Sequence, residues 1–257
     1  MLSKQGQKLI RNYLSLPFPG ISDVRCPYFN NARLKQRGQL RALIGKGTPQ
    51  EIVEETEIYA KQYGINLKEL TTEEIKRFLV EKNLGIECSG FVVHVLRAHF
   101  LETKKIDITK KMFIPANGLF RKLVIKIRKV ENANVKILAN DANSEIVPSW
   151  KNTQAGDMII LKDTDKHRDH IILITDFANG IIKYAHARAW SQEGKYGHGV
   201  NTGEIVITKP EDENILNQKW KESPLVKKDD LFHQEIPNET FLEAKQAKTL
   251  EIRRIKT

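Results

Sequence analysis

The chain has 257 residues, of which 40% are hydrophobic, enough for the core of one large domain or two small ones. Lys and Arg outnumber Asp and Glu by 42 to 32, so the formal net charge is +10. The start of the chain interleaves charged and apolar residues, and no stretch is long enough to span a membrane, so we expect a cytoplasmic protein without a membrane span. Two cysteines are too few for a disulfide scaffold and indicate a reducing compartment.

In the first half of the chain, helices are predicted from their start signals. Thr48 and Glu51 form one capping box, and Thr71 and Glu74 form a second, each followed by apolar residues at helical spacing. The fragment GKGT, which ends at Thr48, lacks both the earlier glycine and the following Ser or Thr of a phosphate-binding loop. We therefore reject a phosphate site there.

A further helix is predicted after Gly85, in GIECSGFVVHVL, with Cys88 and Ser89 at its N-terminus. Free backbone N–H groups at a helix start carry partial positive charge, which stabilises a thiolate, so we expect the pKa of Cys88 to be lowered. The same N–H groups can bind an oxyanion. Cys88 is therefore a candidate nucleophile.

Residues 117 to 130 are predicted to form a helix, with a strand over their centre as the alternative. The helix would turn apolar side chains inward and lysines outward. The inward residues would be Phe120, Val124 and Ile127, and the outward ones Lys122, Lys126 and Lys129.

The second half of the chain contains short, Ile-rich segments bounded by Gly, Asp or Asn, which are typical of strands. The predicted strands are DMIILK (157 to 162), HIILITDF (170 to 177), GIIKYAHA (180 to 187), GEIVITK (203 to 209) and TLEIRRIK (249 to 256). The link FANG between the second and third predicts an antiparallel hairpin. Helices followed by an antiparallel sheet, without repeats or a linker, indicate a single α+β domain over residues 1 to 257.

The excess positive charge is spread out over the chain, in KKIDITKK (104 to 111), RKLVIKIRK (121 to 129) and RRIK (253 to 256). Such a field attracts polyanions. A sequence-independent nucleic-acid-binding module interleaves aromatic residues with its cations, and these runs contain almost none. We interpret the runs as solvated faces and do not expect nucleic acid as a partner. A non-catalytic, basic nucleic-acid-binding protein is kept as an alternative.

A nucleophilic cysteine needs a base, normally His, and often a third polar group that fixes the imidazole tautomer. Of the seven histidines, His170 opens a predicted strand after the polar turn DTDKHRD. His186 lies in the next strand of the hairpin, and antiparallel neighbours can bring two such side chains together. The alternative is a zinc site in which His167 and His170 join His186 or Cys88. Because H-x-x-H on an irregular turn is a weak signal, we predict neither metal nor other cofactor.

Four motifs, ECSGFV, AGDMIIL, DHIILITD and YAHA, occur in this order over about residues 84 to 190. In that order they resemble the NlpC-type cysteine peptidases, papain-like endopeptidases of bacterial cell walls. The resemblance implies a papain-like fold, with the nucleophile helix packed on the antiparallel sheet. It implies Cys88 as nucleophile, His170 as base and His186 as the orienting residue.

The resemblance also implies residues and segments around this centre. Members place a Pro-Tyr pair before the cysteine, and in this chain that pair would be Pro27-Tyr28. The resemblance therefore makes Tyr28 a candidate for binding substrate or the oxyanion. Ser89, next to the cysteine, is a second candidate. The long interval between the tyrosine and the cysteine implies a helical insertion at about 45–84, and a C-terminal extension follows at about 210–257. The implied reaction is amide hydrolysis through a thioester acyl-enzyme, on a peptidoglycan fragment or related peptide. An acyltransferase on the same scaffold is the alternative.

Overall fold

The computed structural model describes residues 1–29, 40–164, 168–189, 199–222 and 238–257. Its helices are α1 (Lys4–Leu14), α2 (Pro49–Gln62), α3 (Thr72–Glu81), α4 (Cys88–Lys104), α5 (Ile108–Lys111), α6 (Leu119–Ile127), α7 (Lys129–Asn132), α8 (Val135–Leu138) and α9 (Glu239–Gln246). Its strands are β1 (Ser144–Ile146), β2 (Met158–Lys162), β3 (His170–Ala178), β4 (Ile181–Arg188), β5 (Gly199–Val206), β6 (Lys219–Glu222) and β7 (Thr249–Ile255). The strands pair antiparallel in the order β1-β7-β2-β3-β4-β5-β6, which confirms the α+β class.

The predicted helix starts and the predicted hairpin turn are present in the structure. Thr48 accepts a hydrogen bond from the N–H of Glu51, whose carboxylate accepts from the N–H of Thr48 at 2.8 Å. The second capping box, at the start of α3, is also complete. In the β3–β4 hairpin, Asn179 and Gly180 have φ of 51° and 71°, the left-handed values that a two-residue type I′ turn requires. These predictions are confirmed.

The predicted strands are all present, but the C-terminal segment has a larger part in the sheet than predicted. The interval 45–84 contains α2 and α3 and is helical as expected. The interval 210–257, predicted as an extension, contributes β6 at one edge and β7 between β1 and β2. The fourth predicted strand begins four residues early, at Gly199, because residues 199–202 pair with the end of β4.

Both faces of the sheet are buried. In β3, Ile171 and Leu173 pack in the core that includes the α4 residues, whereas Ile172 and Ile174 pack in a second core with Trp220. All four β3 residues have no exposed surface. This explains why the strand is a continuous apolar run and not an alternating one.

The segment 117–130 is helical, so the strand alternative is wrong, but the predicted inward face is also wrong. Phe120 is 80% exposed and Ile127 is 75% exposed. Ile125 and Val130, which the pattern did not select, occupy the buried positions. Lys129 does not point outward but donates to two carbonyl groups at the end of α5, where a helix C-terminus attracts a cation.

In the basic run near the C-terminus, Lys256 is exposed as predicted, but the two arginines are engaged in ion pairs. Arg253 is 3% exposed and forms ion pairs with Asp141 and Glu251. Arg254 pairs with the fully buried Asp157 at 2.7 Å. These arginines hold β7 inside the sheet, because Arg253 pairs with Asp141 and Arg254 pairs with Asp157, both outside β7.

One buried histidine on α4 makes the fold sensitive to acid. His94 is 4% exposed, and its Nε2 lies 2.8 Å from the carbonyl oxygen of Lys46. Burial lowers the pKa of His94 from its ordinary value of 6.5 to about 4. The folded protein therefore keeps this imidazole neutral at a pH where the unfolded chain protonates it.

We expect His94 to reduce the free energy of unfolding by about 3 kcal/mol as the pH falls from about 7 to about 4. The loss begins below the unfolded pKa, because only the unfolded chain binds the proton there, and it is complete near the folded pKa. Urea unfolding at a series of pH values, with His94→Gln as a non-titrating control that keeps a donor, measures it. Parallel pH curves for the two proteins would contradict this role of His94.

Candidate active site

Cys88 is the first residue of α4 and is 6% exposed. Its thiol lies close to two backbone N–H groups, those of Ile171 in β3 and of Ser89 in the first turn of α4, and both lower its pKa. The start of the helix thus meets the first residues of β3. This junction is where the sequence predicted a nucleophile.

The thiol is nevertheless not activated in the resting protein. Burial raises the pKa of Cys88 to about 12, and the negative charge of Glu87 adds to the rise, although Lys46 opposes it. The predicted lowering is therefore wrong, because the cost of desolvating a buried thiolate outweighs the helix N-terminus. Cys88 is a neutral thiol at neutral pH.

Two histidines and a glutamate form a continuous hydrogen-bond chain. Leu173 of β3 pairs with Ala185 of β4, which leaves His170 and His186 as diagonal neighbours across the hairpin. His170 Nε2 lies 2.8 Å from His186 Nδ1. His186 Nε2 lies 2.8 Å from Oε1 of Glu222, the last residue of β6.

The carboxylate of Glu222 is buried and fully engaged. It accepts hydrogen bonds from the Tyr184 hydroxyl at 2.9 Å and from Asn201 Nδ2 at 3.0 Å, besides His186. Burial raises the pKa of Glu222, but His186 and the hydroxyls of Thr240 and Tyr184 lower it by more, so it ends below its ordinary value. Glu222 is therefore ionised at neutral pH.

This ionised carboxylate fixes the tautomers of both imidazoles. A carboxylate only accepts, so His186 Nε2 carries the proton that joins it to Glu222, and in the neutral imidazole His186 Nδ1 is the bare nitrogen. The bare nitrogen accepts from Nε2–H of His170, which leaves His170 Nδ1 unprotonated. Burial, with contributions from His186 and Arg188, lowers the pKa of His170 well below its ordinary value. His170 is thus a neutral imidazole with a free basic nitrogen.

The two predicted histidines, His170 and His186, are in contact with each other. The Cys88 thiol contacts β3 at Ile171, the residue after His170. Within the described residues no hydrogen bond joins Cys88 to His170, and the thiol lies beside the N–H of Ile171. Cys88 belongs to the core on the α4 face of the sheet, while Tyr184, which bonds Glu222, belongs to the other core. The roles of nucleophile and base therefore stay predictions.

Tyr28 lies beside this junction. It forms an isolated parallel bridge with Ile86, two residues before Cys88. Burial raises the pKa of Tyr28 well above its ordinary value, and the neighbouring Cys88 and Glu87 add to the rise. The backbone of Tyr28 therefore lies next to the segment that leads into α4, and its contact with substrate stays a prediction.

A buried ion pair that the sequence analysis missed supports the start of α4. Lys46 is 3% exposed and pairs with Glu87. Its Nζ also donates to the Ser89 hydroxyl at 2.8 Å and to the carbonyl of Ala133. The Ser89 hydroxyl in turn donates to Glu87 at 2.6 Å. The Ser89 side chain is thus committed to this cluster, so its predicted oxyanion role would fall to its backbone N–H.

Close backbone contacts hold the same region together. The N–H of Glu87 donates to the carbonyl of Gly45 at 3.0 Å. A Cβ on Gly90 would lie only 2.7 Å from that carbonyl oxygen, so glycine is needed for the approach. The fragment GKGT, rejected as a phosphate loop, therefore positions the helix that carries Cys88.

Cys26 and Cys88 are both free thiols. Cys26 has no exposed surface, and burial raises its pKa. Its backbone carbonyl accepts from the N–H of Val200 at 3.0 Å, which links the N-terminal segment to β5. Cys26 thus has a structural environment and serves as an internal reference for Cys88.

The zinc alternative receives no support from the described part of the chain. No group of three or more His, Cys, Asp or Glu side chains in those ranges could hold a metal ion. His167, one of its predicted ligands, lies outside the described residues. A groove of about 1560 Å³ lies elsewhere, between α2 and α6, and none of Cys88, His170 and His186 lines it.

Comparison of the chain with protein-family models, curated proteins and solved structures finds no match. The likeness to NlpC-type peptidases therefore rests on the four short motifs alone.

Sequence reasoning found the two histidines but missed Glu222, Tyr184 and Asn201. Glu222 lies in β6, in a segment that is so polar that no strand was predicted there. One sequence signal for a strand was present. In KWKE, Trp220 and Glu222 alternate with lysines, which places both on one face of a strand, and Trp220 is buried.

We expect Lys46→Met to reduce the free energy of unfolding by about 3 to 5 kcal/mol, because it leaves Glu87 without its buried partner. The double variant Lys46→Met with Glu87→Met removes both charges and should recover part of that loss. Urea unfolding of wild type, Lys46→Met, Glu87→Met and the double variant measures the coupling. A double variant as unstable as the sum of the single variants would show that the two charges do not interact.

We expect Glu222→Gln to slow alkylation of Cys88 by iodoacetamide about 10-fold or more at neutral pH, because an amide can also donate and no longer fixes both tautomers. Tyr184→Phe is the matched control, since it removes one hydrogen bond to Glu222 but leaves the carboxylate, and should have a smaller effect. Peptide mapping after brief labelling gives the rates. Cys26 should label more slowly than Cys88 in every protein, and equal rates at Cys88 in Glu222→Gln and wild type would rule out this coupling.

Proposed function

We propose that this chain is a papain-like cysteine peptidase or amidase that hydrolyses an amide bond through a thioester acyl-enzyme. The observation that carries the proposal is the hydrogen-bond chain from His170 through His186 to Glu222, which leaves a basic nitrogen at the start of β3. The Cys88 thiol packs against the next residue of that strand. The four motifs that resemble NlpC-type peptidases add support and suggest a peptide of the peptidoglycan type as substrate.

In the proposed reaction, His170 Nδ1 takes the thiol proton as Cys88 Sγ attacks the amide carbonyl. Backbone N–H groups at the start of α4, including that of Ser89, stabilise the oxyanion. The His170 imidazolium then gives its proton to the leaving amine, so the C–N bond breaks and the acyl group stays on sulfur. Water, deprotonated by His170, attacks the thioester and releases the acid and the thiol.

His186 and Glu222 would act as positioning residues. When His170 becomes an imidazolium, its Nε2–H continues to donate to His186, and the negative charge of Glu222 lies at the end of the same chain. The charge formed during the reaction is then compensated without any group having to reorient. The lowered pKa of His170 keeps the base unprotonated at neutral pH.

Incubation with a panel of peptidoglycan fragments and simple peptides tests the proposal. We expect wild type to cleave at least one amide, and Cys88→Ala and His170→Ala each to lose about three orders of magnitude or more, because nucleophile and base act as one unit. His186→Ala should lose less. Activity should fall under acidic conditions as His170 becomes protonated, below the ordinary histidine pKa.

Cys26→Ala is the matched thiol control and should keep activity wherever its circular dichroism spectrum shows a folded protein. Equal cleavage by wild type and Cys88→Ala would make the thiol structural and the proposed mechanism wrong. Leaving out every amine acceptor separates the alternative on the same scaffold. A hydrolase would continue to release free acid with water as the acceptor, whereas an acyltransferase would stop once its thiol is acylated.

A further inference from the structure

The surface helix α6 turns its apolar side chains toward solvent. Ile125 is the one buried residue within the helix. The large apolar residues on the opposite side are between 56 and 86% exposed, and they share one helical face: Leu119, Phe120, Leu123 and Ile127. Phe113, shortly before the helix, is 54% exposed. An exposed cluster of this kind marks an interaction surface.

The same region is strongly and uniformly basic. Residues 108 to 130 contain seven Lys or Arg and no Asp or Glu. On α6 itself, Arg121, Lys122 and Lys126 are exposed. In the described part of the chain none of these three cations forms an ion pair, and Arg121 bonds only the neutral side chain of Asn132. The apolar face is therefore bordered by three exposed cations that form no ion pair among the described residues.

We propose that α6 binds the surface of an anionic lipid bilayer. Its Leu and Phe side chains would enter the boundary between headgroups and acyl chains, and its lysines and arginine would contact lipid phosphates. Among the described residues no helix is long and apolar enough to cross a membrane. With nine residues, α6 would lie in the plane of the surface. This binding is independent of the proposed hydrolysis.

The charge pattern favours a lipid surface over a second copy of the chain. In a two-fold dimer the same patch faces itself, so Arg121, Lys122 and Lys126 would approach their own copies. Each chain also has a formal net charge of +10. Like charges in contact oppose such a dimer, whereas an anionic bilayer compensates them and accepts the apolar face at the same time.

Co-sedimentation with lipid vesicles tests the proposal. We expect wild type to partition about 10-fold or more strongly onto phosphatidylcholine vesicles containing phosphatidylglycerol than onto phosphatidylcholine alone, and to dissociate as salt is raised. Phe120→Ser and Leu123→Ser should weaken binding about 10-fold. Lys122→Gln combined with Lys126→Gln should weaken it only on the anionic vesicles.

Matched controls change similar side chains outside the patch. Ile146→Ser, on β1, removes an aliphatic side chain that is 59% exposed, and Lys219→Gln removes an exposed cation on β6; both should bind as wild type does. Unchanged thermal unfolding of each variant confirms folding. Equal binding to both vesicle types, or equal binding by Leu123→Ser and wild type, overturns the proposal. So does a concentration-dependent dimer that Leu123→Ser abolishes, which would assign the patch to a second copy.

Discussion

Because both faces of the sheet are covered, a polar side chain on its middle strands must find its partners inside the protein. His186 has no exposed surface, and a buried ring nitrogen without a partner would cost roughly 1 to 3 kcal/mol. The chain of bonds can end only at a group that accepts without donating, and Glu222 is that group. Its remaining acceptor sites are used by Tyr184 and Asn201, so the carboxylate cannot rotate freely. This one buried charge therefore determines which nitrogen of His186 donates to it.

A second buried charge pair determines where Cys88 lies. Lys46 and Glu87 meet under the first turn of α4, and the carbonyl of Gly45 accepts from the N–H of Glu87. Replacing such a pair by apolar residues often changes stability little, so its main effect is on position. Here the pair lies beside the backbone bridge between Lys46 and Ile86, which joins the segment around Lys46 to the helix start. It also places opposite charges beside the thiol, where Glu87 raises its pKa and Lys46 lowers it.

The parts of this protein that local signals encode were predictable. Thr48 with Glu51 caps α2, and the β3–β4 hairpin forms at Asn179, because both features depend on residues close in sequence. The partners of the site were not predictable, since Lys46 and Glu222 reach it from segments 41 residues before Glu87 and 36 residues after His186. The prediction of which face of α6 is buried was also wrong. Periodicity identifies the apolar face of a helix, but it does not show whether the rest of the protein covers that face. Phe120 and Ile127 form such a face and remain exposed.

The two pKa values at the junction constrain how any chemistry there can proceed. That of Cys88 is about 12 and that of His170 lies well below 6.5, so moving the proton from sulfur to nitrogen in the resting protein costs more than about 7 kcal/mol before the ions attract each other. A preformed thiolate–imidazolium pair is therefore not the resting state. Proton transfer becomes favourable only as the sulfur charge passes to a carbonyl oxygen that the helix N–H groups can solvate. The buried thiol would stay inert toward solvent and react only with a substrate that brings its own electrophile to the start of α4.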